Sequence, residues 1–191
     1  MYTSKRRFAT LITVVSCLFL VEATQAEEPS PVFSKTTFDL GIVVSDLDKA
    51  ATFYKDVIGM TEVKGFTAPA QVATDFGLTD NQAVVVRKFV MADVKDAPAL
   101  KLMSFPKVEV SKPKQKYIHS SLGFSYLTLF VHDMGAAVAR AEKAGVKLAG
   151  KTPAKAGAKN YLTVYKDPDG NFIELIGPAK TNLERFAAKK P

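Results

Sequence analysis

The sequence holds a single cysteine, Cys17, and only two histidines in 191 residues. Cys17 lies inside the first 26 residues, a segment read below as removable. Without it the mature chain has no cysteine, which excludes disulfides, thiolate nucleophiles and cysteine-based metal sites. Of the histidines, His132 stands at the entry to a helix and reads as a surface or capping residue. His119 stands in a basic connection and reads as a solvated loop residue, with acid–base work near neutral pH as its functional alternative. Also missing are a glycine-rich phosphate loop, a serine-centred nucleophile elbow and an HExxH zinc helix. Ser104, Ser120 and Ser121 have no visible base.

What the chain does have begins with a charged and apolar start. Lys5, Arg6 and Arg7 precede an almost wholly apolar run from Phe8 to Val21. Ala23-Thr24-Gln25-Ala26 then offers a small-residue cleavage site before the polar Glu27-Glu28-Pro29. That order predicts a secretory signal peptide over residues 1–26. The run is shorter than the ~20 residues a bilayer span needs. Val14-Val15-Ser16-Cys17 resembles a bacterial lipoprotein processing box, so two routes stay open. Cleavage after Ala26 would give a periplasmic or secreted protein, and lipidation at Cys17 would give one anchored to a membrane. No other membrane association is expected.

Residues 27–36 read as a linker, and the remainder is long enough for one domain with an adequate core. The formal charge of +7 falls to about +5 once Lys5, Arg6, Arg7 and Glu22 are set aside. The excess lysines cluster at 107–116, 147–159 and 180–190, with no aromatic residues interleaved in a pattern suited to stacking bases. These runs read as solvated loops, so no nucleic-acid partner is expected. The positive balance favours anionic small ligands over cationic ones.

From Phe38 the chain reads FDLGIVV, a short β-branched stretch, then SDLDKAATFYKDVIGM. Counted from Asp46, Leu47, Ala50, Ala51, Tyr54 and Val57 fall at +1, +4, +5, +8 and +11, one face of a helix. Ser45 or Asp46 can cap its start, and Gly59 can end it. FSYLTLFV followed by HDMGAAVARAEKAGVKL repeats this plan. Met134, Ala137, Val138, Ala141 and Ala144 take the same offsets from Asp133, and Gly145 is the stop. Strands follow each helix: Thr61–Gly65, Ala83–Met91 and Leu100–Phe105 in the first half. In the second they are Lys147–Ala149, Tyr161–Tyr165 and Phe172–Ile176, the last two joined by the hairpin turn KDPDGN. The polar KVEVSKPKQKYIHSS between the halves is a linker. The chain therefore carries an internal repeat with the plan βαβββ twice.

Strand, Ser-Asp, helix with Phe-Tyr and Gly-Met, together with the closing DPDGNFIEL over 167–175, resembles the vicinal oxygen chelate superfamily. This is the group of glyoxalases, bleomycin-resistance proteins and extradiol dioxygenases. The resemblance implies an α+β fold of two βαβββ modules whose curved mixed sheets pair around a cleft. The domain would run over 37–178, with module one at 37–106, a linker at 107–121, module two at 122–178 and a basic tail at 179–191. Modules of this group pair within a chain or between chains, so a homodimer is possible. A divalent metal usually sits in the cleft, held by side chains of both modules.

Alternation puts Leu40, Ile42 and Val44 beneath the helix, and Asp39, Gly41 and Val43 toward the cleft. By the same rule Leu127, Leu129, Val131, Ile173 and Leu175 pack inward. Tyr126, Thr128, Phe130, Phe172, Glu174 and Ile176 face the cleft, as do Lys101 and Met103 in the first half. Asp39, Lys101, Tyr126 and Glu174 are the positions that match the family's metal ligands, commonly histidine on the first strands and carboxylate on the last. Only Glu174 keeps the expected identity. An ammonium cannot ligate a metal, and tyrosine does so chiefly as phenolate, from an ordinary pKa of ~10. One expectation is a metal on Glu174 with Asp39 and Tyr126, Lys101 swinging away. The other needs no cofactor: Lys101 sits between Asp39 and Glu174, and Tyr126 donates to one carboxylate. That charge set would serve ligand recognition or be only a structural ion pair.

Two functions from different classes follow, with a vestigial cleft as a third. The first is an exported binding protein for a small anionic or aromatic molecule, its ligand set drawn from Asp39, Lys101, Met103, Tyr126, Thr128 and Glu174. The second is a metal-dependent enzyme of glyoxalase, epimerase or dioxygenase type. Residues 67–82, with Phe66, Phe76 and Leu78, are expected to form a wall or lid over the cleft, or ordinary edge packing.

Overall fold

The first repeat folds as β1 (Asp39–Val43), α1 (Leu47–Thr52), β2 (Thr61–Ala68), α2 (Ala70–Asp75), β3 (Val84–Val90) and β4 (Ala99–Ser104). The second folds as β5 (Tyr126–Phe130), α3 (Met134–Lys143), β6 (Ala154–Ala156), β7 (Asn160–Lys166) and β8 (Phe172–Pro178). The computed structural model describes residues 32–181. The proposed signal peptide, the Cys17 box and most of the basic tail lie outside them. The chain divides into two units between Ser34 and Lys35, and all these elements belong to the second. Among the described residues no helix is long and apolar enough to cross a membrane.

The two four-stranded sheets have the same order, β1-β4-β3-β2 and β5-β8-β7-β6. In each, the first strand lies parallel to the last, as a helical crossover requires, and the remaining pairs are antiparallel. The sheets are therefore mixed, and the repeat read from helix offsets is a repeat in three dimensions.

Asp46 caps α1 by accepting the Lys49 N–H at 2.9 Å, and Asp133 caps α3 by accepting that of Gly135 at 2.9 Å. α1 runs directly into a π-helical turn, Phe53–Ile58, which simple helical spacing does not reveal. Gly59 ends it at φ 91°, a conformation that costs other residues strain. Arg140 of α3 then donates to the carbonyls of Val57 and Ile58, at 3.2 and 3.1 Å, satisfying acceptors that the helix end leaves open.

The apolar stripes predicted for both helices meet in one core. Ala50, Tyr54 and Val57 pack in the same cluster as Met134, Ala137 and Ala141, between the inner faces of both sheets. Leu102, Ile173 and Leu175 form the floor and are fully buried. Each such aliphatic side chain stabilises the fold by about 1.5–3 kcal/mol. Leu175→Ala, leaving a cavity as well, would cost about 2–5 kcal/mol.

One expectation needs correction, and one segment gains detail. The strand expected at Lys147–Ala149 is not paired there. Only Ala149 bonds, to the Val164 carbonyl at 2.8 Å, before Gly150 turns the chain at φ 61°. Pairing with β7 resumes at Ala154–Ala156. The segment 67–82 contains a helix, α2, held by Ala73 packing on Val84 and Val86 with Met103 and Phe105 alongside. The expected wall residues Phe66, Phe76 and Leu78 are all exposed.

Candidate functional site

The faces of the sheets away from the helices carry the polar positions singled out from the sequence. On the first sheet the ladder pairs Gly41 with Lys101 and Lys101 with Lys88. Asp39 is two residues from Gly41 on the same face. The Lys101 ammonium lies 2.8 Å from the Asp39 carboxylate, and both side chains are about one-third exposed (32% and 35%). The hydrogen bond from Lys101 holds the Asp39 carboxyl below its ordinary value, against the opposing effect of partial burial, and Lys88 adds to the pull.

On the second sheet Thr128 and Glu174 are register partners, and the Thr128 hydroxyl donates to the Glu174 carboxylate at 2.8 Å. Tyr126 and Phe130 flank Thr128 and are exposed, at 55% and 78%. Phe172, on the same face, is buried with the Lys166 ammonium 4.3 Å from its ring centre. Lys166 also donates to the Gln115 carbonyl at 2.7 Å, which ties the linker to this sheet.

Three of the four ligand-equivalent residues thus fall in two separate polar pairs, the second completed by Thr128, and the expected bond from Tyr126 to a carboxylate is not made among the described residues. Lys101 is bound to Asp39, while Glu174 is bound to Thr128 and makes no ion pair with Lys101 among the described residues. Met103 sits beside them, its methyl group against Gly41. Residues of β1 and β5 border one cavity of about 300 Å³. Gly41, Tyr126 and Phe172 line it, together with Leu40, Leu100 and Ile173.

As these side chains stand, they make a poor donor set for a divalent cation. Asp39 already spends its charge on an ammonium at 2.8 Å, and that ammonium would repel a neighbouring metal. Among the described residues no three His, Cys, Asp or Glu side chains come together in a metal-holding group. Both histidines lie elsewhere: His132 is exposed ahead of α3, and His119 stacks on Tyr117 in the linker, with ring centres 5.5 Å apart.

Sequence reasoning missed Lys88. Alternation along β3 groups it with Val86 and Val90, but the face they occupy is fixed only by the register with β4. It also missed Asp169, in the closing turn. Asp169 accepts from the Ser45 amide at 3.0 Å and the Ser45 hydroxyl at 2.5 Å, and lies 3.3 Å from the Lys112 ammonium. Burial alone would raise the Asp169 carboxyl, but these partners hold it below the usual carboxylate range. A cavity of about 330 Å³ opens between Ser45, Lys112 and Asp169, where the linker crosses from one module to the other.

Comparisons with known proteins agree with this architecture. Among solved structures, a glyoxalase family protein from Bacillus cereus is 20% identical, over 80% of this chain and 99% of that one, with a TM-score of 0.66. The trypanothione-dependent glyoxalase I of Leishmania major is 21% identical, over 81% and 94%, with a TM-score of 0.55. An antibiotic-binding protein from a Streptomyces species is 20% identical, over 78% and 100%, with a TM-score of 0.51. At such identities the shared property is the fold. No curated protein matches the chain. The family model of the glyoxalase/bleomycin resistance protein/dioxygenase superfamily matches residues 37–175, and the chain belongs to that superfamily.

Proposed function

We propose that the chain is an exported binding protein that holds a small anionic or aromatic molecule in its cleft without a metal cofactor. The observation that carries this reading is the Lys101 ammonium on Asp39 at 2.8 Å, an ion pair at two of the positions where the family places metal ligands. Recognition would then rest on hydrogen bonds and charge, with Tyr126 and Phe130 offering exposed aromatic surface to a ring. That one structural neighbour is an antibiotic-binding protein is compatible with a binding role for this fold. The test is metal content of protein purified without chelator, beside the Lys101→Ala variant. The reading expects substoichiometric metal in the wild type, and one metal per chain would sink it. Thermal shifts on adding small aromatic acids separate a working cleft from a vestigial one.

A second reading is a metal-dependent enzyme. Glu174 favours it, as a half-buried carboxylate at the one ligand position with the family's usual residue type. Cleavage after Ala26 or lipidation at Cys17 is a separate question, settled by the mass and N-terminus of the exported protein. A homodimer in which one chain's cleft faces the other would bury the exposed Phe130 and Tyr126, and sedimentation tests it.

A further inference from the structure

We infer that Lys88 is the anion-binding group of this cleft, and that the ligand it takes is a compact aromatic carboxylate seated on the first module. The inference rests on the binding role proposed above and names the chemical class.

Lys88 and Lys101 are direct partners across β3 and β4, an arrangement of like charges that destabilises a sheet unless an anion lies between them. Asp39 supplies one negative charge, and its ion pair within 4 Å is with Lys101. Lys88 acts on Asp39 only at longer range and makes no ion pair of its own among the described residues. One positive charge is left over on the half-buried floor of the sheet.

Lys88 borders a cavity of about 430 Å³ that also takes in Thr37, Asp39, Lys35, Asp93 and Asp96. Lys35 is neutralised by Asp96 at 2.8 Å, and the third carboxylate of the lining, Asp93, is exposed in the turn at the rim, where solvent screens its charge. Thr37 borders the same cavity, and its hydroxyl is buried without a hydrogen-bond partner among the described residues. A buried hydroxyl left unpaired costs about 1–3 kcal/mol, so an acceptor arriving there is favoured. The Lys88 ammonium, with the Thr37 hydroxyl once a turn of that side chain brings it to the cavity, suits a carboxylate, one oxygen for each donor. Val63 and Val90 line that space with apolar surface suited to a small ring.

The experiment is a titration of isotope-labelled protein with benzoate, methyl benzoate and benzylammonium, followed by amide NMR. Benzoate at millimolar concentration should move Thr37, Lys88 and Lys101, and Lys88→Met should weaken it about tenfold, while Lys88→Arg retains it. Benzylammonium should bind worse than benzoate to the wild type, a comparison that needs no variant. Unchanged affinity in Lys88→Met, equal binding of the cation, or no response to benzoate would overturn the assignment. Should both benzoate and methyl benzoate move Tyr126 alone, the binding role stands and the Lys88 site fails. If no probe moves either module, both fail.

Discussion

The hydroxyl of Tyr54, on the π turn of the first module, donates to the carboxylate of Asp167, in the closing hairpin of the second, at 2.9 Å with both groups buried. Asp167 also accepts from the amides of Asp169 and Asn171 and from the Asn171 side chain. The bond is thus the module contact of an already organised turn. Burial, followed by the charge of Asp167, pushes the Tyr54 phenol well above its ordinary value, so it stays a donor throughout the useful pH range. Tyr54→Phe should destabilise the protein by about 1–3 kcal/mol, because the acceptor stays buried. Urea unfolding measures it, and a loss below about 0.5 kcal/mol would show that the turn does not depend on the bond.

The chain leaving β8 crosses the start of α3. The Asp133 carboxylate accepts from the amides of Lys180 and Thr181 and from the Thr181 hydroxyl, as well as from Gly135. Burial would raise the Asp133 carboxyl, but these four donors outweigh it and hold it at about 2. With the folded value below the ordinary 3.8, this stabilisation is complete above that value and fades as pH falls toward 2. The stability gap between wild type and Asp133→Asn should therefore be constant from about pH 7 to 5 and close as pH falls toward about 2. Denaturant midpoints across that range check it.

A Cβ at position 135 would collide with the Thr181 carbonyl. Gly135→Ala must displace either the crossing segment or the helix start, and a cost of about 1–3 kcal/mol is expected. Removing the residues after Ala179 in the same background should relieve most of that cost, which melting of the double variant tests.

Breaking the Lys101–Asp39 pair should do little to stability, since both side chains reach solvent. A loss under about 1 kcal/mol is expected for Lys101→Met. The Asp39 carboxyl should move up toward its ordinary value, because its largest depressing influence is gone. Carboxyl-carbon NMR reads this directly.

The linker is pinned where Lys112 meets Asp169 and the Pro168 carbonyl, both at 3.3 Å. Lys112→Met should raise the rate of trypsin cleavage at Lys107, Lys114 or Lys116 several-fold, about the effect of losing one exposed-to-buried tether. An unchanged digestion rate would mean that Lys166 on the Gln115 carbonyl is the tether that matters.

The parts legible in the sequence were those with local physics. Asp46 and Asp133 caps, glycine stops and the shared helix offsets specify βα units without reference to anything distant. Strand alternation sorted Leu40 and Ile42 from Asp39 because each face meets a uniform environment. What did not show depended on partners far away in the chain. Tyr54 and Asp167 are 113 residues apart, and Arg140 finds the Ile58 carbonyl 82 residues back. Lys88 is placed only by the β3–β4 register, and Glu174 is held by Thr128 across the ladder rather than by Lys101. The start of β6 shifted because Gly150 interrupts a stretch whose composition alone reads as continuous.

The shared core has a consequence for how this molecule can be altered. Its two repeats look like beads that could be cut apart, yet Ala50 and Tyr54 of one are buried among Met134, Ala137 and Leu175 of the other. Separated halves would each expose that apolar face, so severing the chain in the linker leaves fragments that must reassociate to fold. The duplication survives as symmetry, while autonomy of the halves has been given up to a single cooperative unit.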